Sequence, residues 1–157
     1  DRLGTSSSAA TIPVSMESTL KNGISKPVAS FVIPLCATIH LSGSMIKLTL
    51  YAFAIVYMAN LDISTSTGLG FIFLLGIMMI AAPGVPGGAV MVAAGLLADM
   101  MGFDDGMVAL MIAAYIAIDS VGTAANVTGD GAIAMIVDKF AGDKKGPTEE
   151  EPAEATA

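Results

Sequence analysis

The last apolar segment, residues 107–140, constrains the fold of this chain more than any other stretch. At about 1.5 Å per residue a helix of this length crosses a hydrocarbon layer about 30 Å thick. Two of its three aspartates, Asp119 and Asp130, lie in its interior. Steps of 4, 3 and 4 residues connect them through Thr123 and Asn126, so all four side chains share one face of a helix. We therefore predict a membrane-spanning helix with a single polar stripe.

The polar stripe favours a functional interpretation. An ionisable side chain at membrane depth costs about 2.5–3.5 kcal/mol on insertion scales, and by default it marks an ion or substrate path. The alternative is a soluble helix with a wet acidic face. The chain is 54% hydrophobic and 13% charged, whereas soluble domains carry about a quarter charged residues. An integral membrane protein is therefore favoured.

Charge and cysteine content exclude several classes of function. Seven basic residues without a patch cannot neutralise a phosphate backbone, so no nucleic-acid partner is expected. The single Cys36 excludes an internal disulfide, and no cluster of cysteine and histidine offers a transition-metal site. The C-terminal residues 141–157 are acidic and sparse in large apolar side chains. They are expected to form a disordered cytoplasmic tail.

A second apolar segment, residues 28–60, contains helix breakers and polar groups. Pro34 removes a backbone donor, which predicts a broken helix with free carbonyl oxygens near Cys36 to His40. His40 and Lys47 are seven residues apart and share a face. His40 is either a satisfied structural residue or a titrating one. A lysine at the membrane centre is costly, unless it lies near a helix end and snorkels.

Residues 61–106 predict a re-entrant hairpin. Two apolar runs, 68–82 and 89–101, flank the sequence PGVPGG at residues 83–88. Each run is too short to cross a membrane as a helix, and non-helical backbone at that depth is tolerated where it lines a cavity. The alternative is two short full spans. Lysines before the first span and after the last predict cytoplasmic ends and a hairpin that enters from outside.

The N-terminal residues 1–27 contain a serine run at 6–8 and the sequence TIP at 11–13. Serine or threonine before an apolar stretch is typical of a helix N-cap, and a short helix is predicted over residues 14–20. The alternative is a plain polar linker. A serine hydrolase built from this run and His40 is disfavoured, because no GxSxG elbow accompanies the serines. The protein is not expected to be an enzyme.

Four motifs in this order resemble the C-terminal half of the glutamate-transporter family, the dicarboxylate/amino acid:cation symporters. They are the serine run with TIP, the ATI and GS of the broken segment, PGVPGG, and NVTGD in the final segment, which is the most specific. The similarity extends to about residue 140.

The resemblance implies an all-α membrane fold in the plasma membrane or bacterial cell inner membrane. Six further helices, with a scaffold that forms a homotrimer, would lie outside this sequence. The expected units are the tip and second arm of an inner re-entrant hairpin with a cytoplasmic loop (1–27), a broken transmembrane helix (28–60), an outer re-entrant hairpin with its flanking loops (61–106) and the final transmembrane helix (107–140).

The resemblance also implies a site for an amino acid or carboxylate substrate between the hairpin tips. Asp119 would bind the amino group of the substrate, and Thr123 and Ser44 would line its side-chain pocket. The groups expected to bind its carboxylate or to close over it are Asn126, Ser6, Ser7, Ser8, Val85 and Gly87.

Sodium is the coupling ion that the resemblance implies, with protons as a candidate replacement for one sodium ion. One ion would be held by Asp130 with the carbonyls of Cys36, His40 and Asn126. A second would be held by carbonyls at Ile80 and Ala82 with Thr38.

Two departures from the family pattern shape the predicted substrate and coupling. Acidic-substrate members place an arginine where this chain has Gly122 or Ser6, and an unpaired buried carboxylate costs several kcal/mol. A small neutral amino acid is therefore predicted, although Lys47 is a candidate substitute for the arginine. Ser42 replaces the aspartate of a third sodium site. Fewer coupled sodium ions are expected, with Lys47 or protonated His40 as candidate replacements for the lost charge.

The alternatives left open are a symporter for dicarboxylates or acidic amino acids, and a channel-like or degenerate member of the family. Saturable, sodium-driven flux distinguishes a symporter from a channel.

Overall fold

The computed structural model describes residues 6–141, which form helices and connecting segments without a strand. A short 3-10 helix, Ala9–Thr11, comes first. The α-helices that follow within these residues are α1 Ile12–Lys21, α2 Lys26–Ile39, α3 Ser42–Met58, α4 Thr65–Met79, α5 Gly88–Met101, α6 Asp105–Ala117 and α7 Asp119–Ala141. The all-α prediction is confirmed for this part of the chain. Residues 1–5 and the predicted disordered tail after Ala141 lie outside it.

The apolar segment of residues 28–60 is broken, but at a later position than its proline suggests. Pro34 lies inside α2, and the helix continues to Ile39. A proline removes the partner of the carbonyl four residues before it, so it does not free the carbonyls that follow. The carbonyl of Cys36 accepts a 2.8 Å hydrogen bond from the His40 amide. The interruption lies at His40 and Leu41, whose backbone angles are not helical.

The predicted outer hairpin corresponds to α4 and α5, which pack against each other through buried apolar side chains. Ser64 caps α4 by accepting a 3.1 Å hydrogen bond from the Thr67 amide. Before α5 the chain turns at Gly87, whose φ of 72° is in the left-handed region that favours glycine. Both helices are apolar but shorter than a membrane span, as a re-entrant hairpin requires. Their buried contacts are Phe71, Leu75 and Met79 on α4 and Val90, Ala93 and Leu97 on α5.

The final apolar segment, where one membrane-spanning helix is predicted over residues 107–140, forms two helices with a bend between them. α6 and α7 meet at an angle of 64°, and the break lies at Ile118. Lys47 of α3 donates hydrogen bonds to the carbonyls of Tyr115 and Ile118 at this point, 3.1 and 3.4 Å long. A side chain that bonds to the carbonyls of a helix is a recognised cause of such a kink. The bend leaves the whole polar stripe on α7.

α7 contacts three other α-helices of the described structure, and the buried apolar side chains form two clusters. It packs against both halves of the broken segment, α2 and α3. The larger cluster joins α3, α4, α5 and α6, and the smaller one joins α1 and α2 to α7. The polar face of α7 therefore faces protein. By length and composition, α2 with α3 is long enough to span a membrane, and so is α6 with α7 if the bent pair is one span.

Candidate functional site

The polar stripe of α7 is buried. Asp119, Thr123, Asn126 and Asp130 are respectively 4%, 3%, 1% and 1% exposed. The helical spacing of 4, 3 and 4 residues places them on one face. That face lies against α3, the break before it, the serine run and the turn before α5, which are the two predicted hairpin tips. Buried charges require partners, so the contacts of these four side chains define the site.

Asp119 has a partner on each carboxylate oxygen. Its Oδ1 lies 3.0 Å from Nζ of Lys47, and its Oδ2 accepts a 3.0 Å hydrogen bond from the amide of Gly87. Both side chains of the ion pair are less than a tenth exposed. The carboxylate therefore joins α3 to the tip of the outer hairpin.

The Lys47 ammonium is fully coordinated. It donates to Asp119, to the Tyr115 carbonyl at 3.1 Å and to the Ile118 carbonyl at 3.4 Å. It also lies 3.5 Å from the centre of the Tyr115 ring, which is a cation–π contact. A lysine has three N–H donors, and three acceptors are present.

Asn126 connects the start of α3 to the serine run. Its Oδ1 accepts hydrogen bonds from the amides of Gly43 and Ser44, at 2.8 and 3.3 Å. Its Nδ2 donates to Oγ of Ser44 at 3.1 Å and to Oγ of Ser8 at 3.5 Å. A side chain at Gly43 would lie 2.6 Å from the Gly122 carbonyl. A glycine there allows α3 to approach α7 closely.

The serine run and the tip of the outer hairpin touch each other. The Gly84 carbonyl accepts hydrogen bonds from Oγ of Ser7 at 2.8 Å and from the amide of Ala9 at 3.2 Å. A Cβ at Gly84 would lie 2.6 Å from the carbonyl of Ala37 at the end of α2. The serine run and the turn before α5 therefore meet next to the polar stripe.

At the C-terminal end of the stripe, Asp130 pairs with His40 at the break between α2 and α3. Its Oδ1 lies 2.8 Å from Nδ1 of His40. A Cβ at Gly129 would collide with the His40 ring, so the glycine makes room for it. The contact places a basic side chain at the carboxylate that the resemblance assigns to sodium.

Two of the three residues expected at a second sodium site are exposed. The hydroxyl of Thr38 donates to the Leu35 carbonyl at 2.7 Å, and the side chain is exposed. The Ile80 side chain is exposed, whereas Ala82 is buried.

A small cavity of about 10 Å³ lies between the hairpin tips and α7. This is the room that one water molecule needs, so an amino acid enters only if the tips separate. Seven residues of the predicted substrate site line it, and they are Ser6, Ser8, Ser44, Val85, Asp119, Thr123 and Asn126. The other two make contacts at its edge, Ser7 with Gly84 and Gly87 with Asp119.

Sequence reasoning missed Tyr115 and the direct pairing of Lys47 with Asp119. Tyr115 precedes Asp119 by four residues, a spacing that is a usable signal in a continuous helix. The pairing of Lys47 joins residues 72 positions apart, and no local pattern predicts it.

Comparisons with known proteins agree with the earlier resemblance. The model of the Sodium:dicarboxylate symporter family matches residues 3–140. Excitatory amino acid transporter 1 of Rattus norvegicus is 31% identical over 137 residues, which are 87% of this chain and 25% of the relative. Neutral amino acid transporter B(0) of Mus musculus is 29% identical over 154 residues, or 94% of this chain and 27% of the relative. The chain thus spans about a quarter of the length of the curated relatives it matches.

Proposed function

This chain belongs to the sodium:dicarboxylate symporter family, and on that premise we propose that it forms the substrate-binding part of a sodium-coupled symporter for a small neutral amino acid. The observation that carries the proposal is the position of Asp119. It is a buried carboxylate beneath two touching hairpin tips, and it is bonded to an amide of one of them. A buried carboxylate of this kind is suited to bind the amino group of a substrate.

The pairing of the buried lysine supports a neutral substrate, because a second substrate carboxylate would need a cation of its own. Lys47 is the only buried lysine among the described residues, and its charge is already balanced by that of Asp119. Position 122 is a glycine and position 6 a serine, so neither offers a cation to a second carboxylate. Burying that carboxylate without a partner would cost several kcal/mol. The remaining polar groups suit the substrate's own carboxylate, and they are Asn126, Ser6, Ser7, Ser8 and Ser44.

The hairpin tips are proposed to act as gates. Movement of the outer tip would break the contacts of Gly84 with Ser7 and Ala9 and the bond from Gly87 to Asp119. The cavity would then open to one side while the inner hairpin stays closed. Sites formed by discontinuous helices near the membrane centre support such alternating access.

Sodium is proposed to bind at Asp130, with backbone carbonyls of Cys36, His40 and Asn126 as further ligands. A second ion is proposed at carbonyls of Ile80 and Ala82 with Thr38. The carboxylate of Asp130 has the charge and hardness that a sodium ion prefers, and it lies one helical turn from Asn126. Ser42 supplies no charge for a third ion, so coupling to fewer than three ions is proposed.

We also propose that both ends of this chain face the cytoplasm of a plasma or cell inner membrane. The full protein is proposed to form a homotrimer through segments outside this chain. The distribution of lysines supports the orientation. Labelling of single cysteines at each end from either side of the membrane tests it.

Uptake by the full-length protein in liposomes tests the proposed function. Labelled alanine, serine or threonine should accumulate only under an inward sodium gradient, with a Hill coefficient for sodium below three. If aspartate outcompetes these neutral amino acids at equal concentration, the proposed substrate is wrong. Ohmic current without substrate would indicate a channel instead.

A further inference from the structure

The surroundings of Nζ of Lys47 form a complete binding site for a primary ammonium group. Asp119 supplies the negative charge at 3.0 Å, and the carbonyls of Tyr115 and Ile118 accept two further hydrogen bonds. The Tyr115 ring covers the cation at 3.5 Å. Carboxylate, carbonyl and aromatic groups together recognise ammonium groups in proteins. In this chain the ammonium comes from the protein itself.

The packing makes room for this internal ammonium at Gly122. A Cβ at that position would lie 3.2 Å from Nζ and 3.4 Å from Cε of Lys47. Those distances are tight for a Cβ, so any larger residue would displace the end of the lysine. Gly122 stands where an arginine is expected in acidic-substrate members, and its lack of a side chain leaves room for the Lys47 ammonium.

No ligand amine can bind Asp119 while Lys47 remains there. Oδ1 is bonded to Lys47 and Oδ2 to the Gly87 amide, and the carboxylate is almost completely buried. A simple amine that displaced the lysine would leave a second, unpaired ammonium in the protein, at a high cost. A zwitterion avoids this cost because it brings a carboxylate as well as an ammonium.

We propose that Lys47 is a tethered competitor for the ammonium subsite at Asp119, and that it admits zwitterionic amino acids and excludes simple amines. The ligand's ammonium replaces that of Lys47 on Asp119, while the released lysine pairs with the ligand's carboxylate. The net charge of the site is unchanged by this exchange. The long stem of lysine permits the movement, and the carboxylate-binding groups of Asn126 and Ser44 lie on the adjoining side of the cavity. This inference rests on the proposed function for the identity of the ligand, but not for the ammonium subsite.

Chemical rescue tests the subsite without an amino acid. Lys47→Ala removes the propylammonium end of the side chain, so propylammonium chloride should raise the thermal unfolding midpoint of the full-length variant. Propanol and tetraethylammonium chloride should not, because one lacks the charge and the other lacks N–H donors. Wild type and the exposed-lysine control Lys139→Ala should show no rise. No rise in Lys47→Ala, or an equal rise with propanol, overturns the proposal.

If Lys47→Ala is too unstable to purify, its recovery during expression tests the ammonium subsite. Lys47→Ala is then expressed and purified with propylammonium throughout, and recovery of folded protein is compared with recovery in propanol. Recovery only with propylammonium supports the subsite. Equal recovery in both, or in neither, contradicts it.

A second variant, Lys47→Met, keeps the stem and removes the charge. Alaninamide has an ammonium but no carboxylate, so its affinity relative to alanine should increase on the order of tenfold in this variant. An unchanged ratio in folded Lys47→Met protein overturns the exchange of partners. If propylammonium rescues Lys47→Ala but no amino acid binds wild type, the proposed function fails and the ammonium subsite stands. If wild type transports alanine but propylammonium does not rescue Lys47→Ala, the proposed function stands and the ammonium subsite fails.

Discussion

Nδ1 of His40 lies 2.8 Å from Oδ1 of Asp130, and this contact joins the break between α2 and α3 to the polar face of α7. The carboxylate is 1% exposed, so the histidine is the side chain that satisfies it. Asp119 has a similar arrangement with Lys47 at the other end of the stripe. Each buried carboxylate of α7 thus has a basic partner from residues 28–60. All variants below are made in the full-length protein.

Asp130→Asn should weaken the sodium dependence of uptake, because the substitution removes the charge of the proposed ion site but keeps its shape. The sodium concentration for half-maximal alanine uptake should increase at least about tenfold, the amount that 1.4 kcal/mol corresponds to. Uptake in a sodium titration measures it, and Asp62→Asn in an exposed loop is the control. Equal sodium dependence in the variant and the control would remove Asp130 from the ion site.

Asp119→Asn should abolish uptake and destabilise the protein, because it leaves the Lys47 ammonium buried without its counter-ion. Breaking a buried pair in this way costs about 3–5 kcal/mol. The double variant Asp119→Asn with Lys47→Met should recover most of that stability without recovering uptake, since removal of both charges is close to neutral. Denaturant unfolding of the three proteins gives the comparison. A double variant as unstable as the single one would contradict the ion pair.

Gly122→Arg combined with Lys47→Met should shift the substrate preference towards acidic amino acids. The guanidinium would enter the space that the lysine end vacates, 3.2 Å from the Cβ position of residue 122. It would supply the fixed cation that a second substrate carboxylate requires. Inhibition of alanine uptake by aspartate should become stronger on the order of tenfold than in Lys47→Met alone. Unchanged inhibition would mean that position 122 does not select the substrate.

Gly84→Val should prevent the hairpin tips from closing. A Cβ at this position would lie 2.6 Å from the Ala37 carbonyl and close to the serine run, and overpacking of this kind costs about 1–3 kcal/mol. Uptake should fall while a substrate-independent sodium leak increases, both measured in liposomes. Gly95→Ala on α5 of the same hairpin is the matched control, because nothing lies within 4 Å of its Cβ position. Normal uptake by Gly84→Val would show that tip contact is not needed for gating.

The sequence by itself determined the helical fold, the apolar segments and the polar face of the final helix. These properties follow from local rules, because segment length sets what can cross a membrane and residue spacing sets which side chains share a helical face. The order of four motifs, of which NVTGD is the most specific, also identified the family. Spacing alone placed Asp119, Thr123, Asn126 and Asp130 on one polar face, and the resemblance supplied their expected roles.

Only the tertiary structure decided how the buried charges are paired and where the helices bend. Lys47 meets Asp119 across 72 positions of sequence, and His40 meets Asp130 across 90. Such pairs depend on how α2 and α3 pack against α7, and no local spacing encodes that geometry. The bend at Ile118 has the same origin, because it lies where the lysine of another helix bonds to its carbonyls. The sequence showed that the Lys47 ammonium lies inside an apolar segment. The packing decided that it pairs with Asp119, the carboxylate expected to bind the substrate.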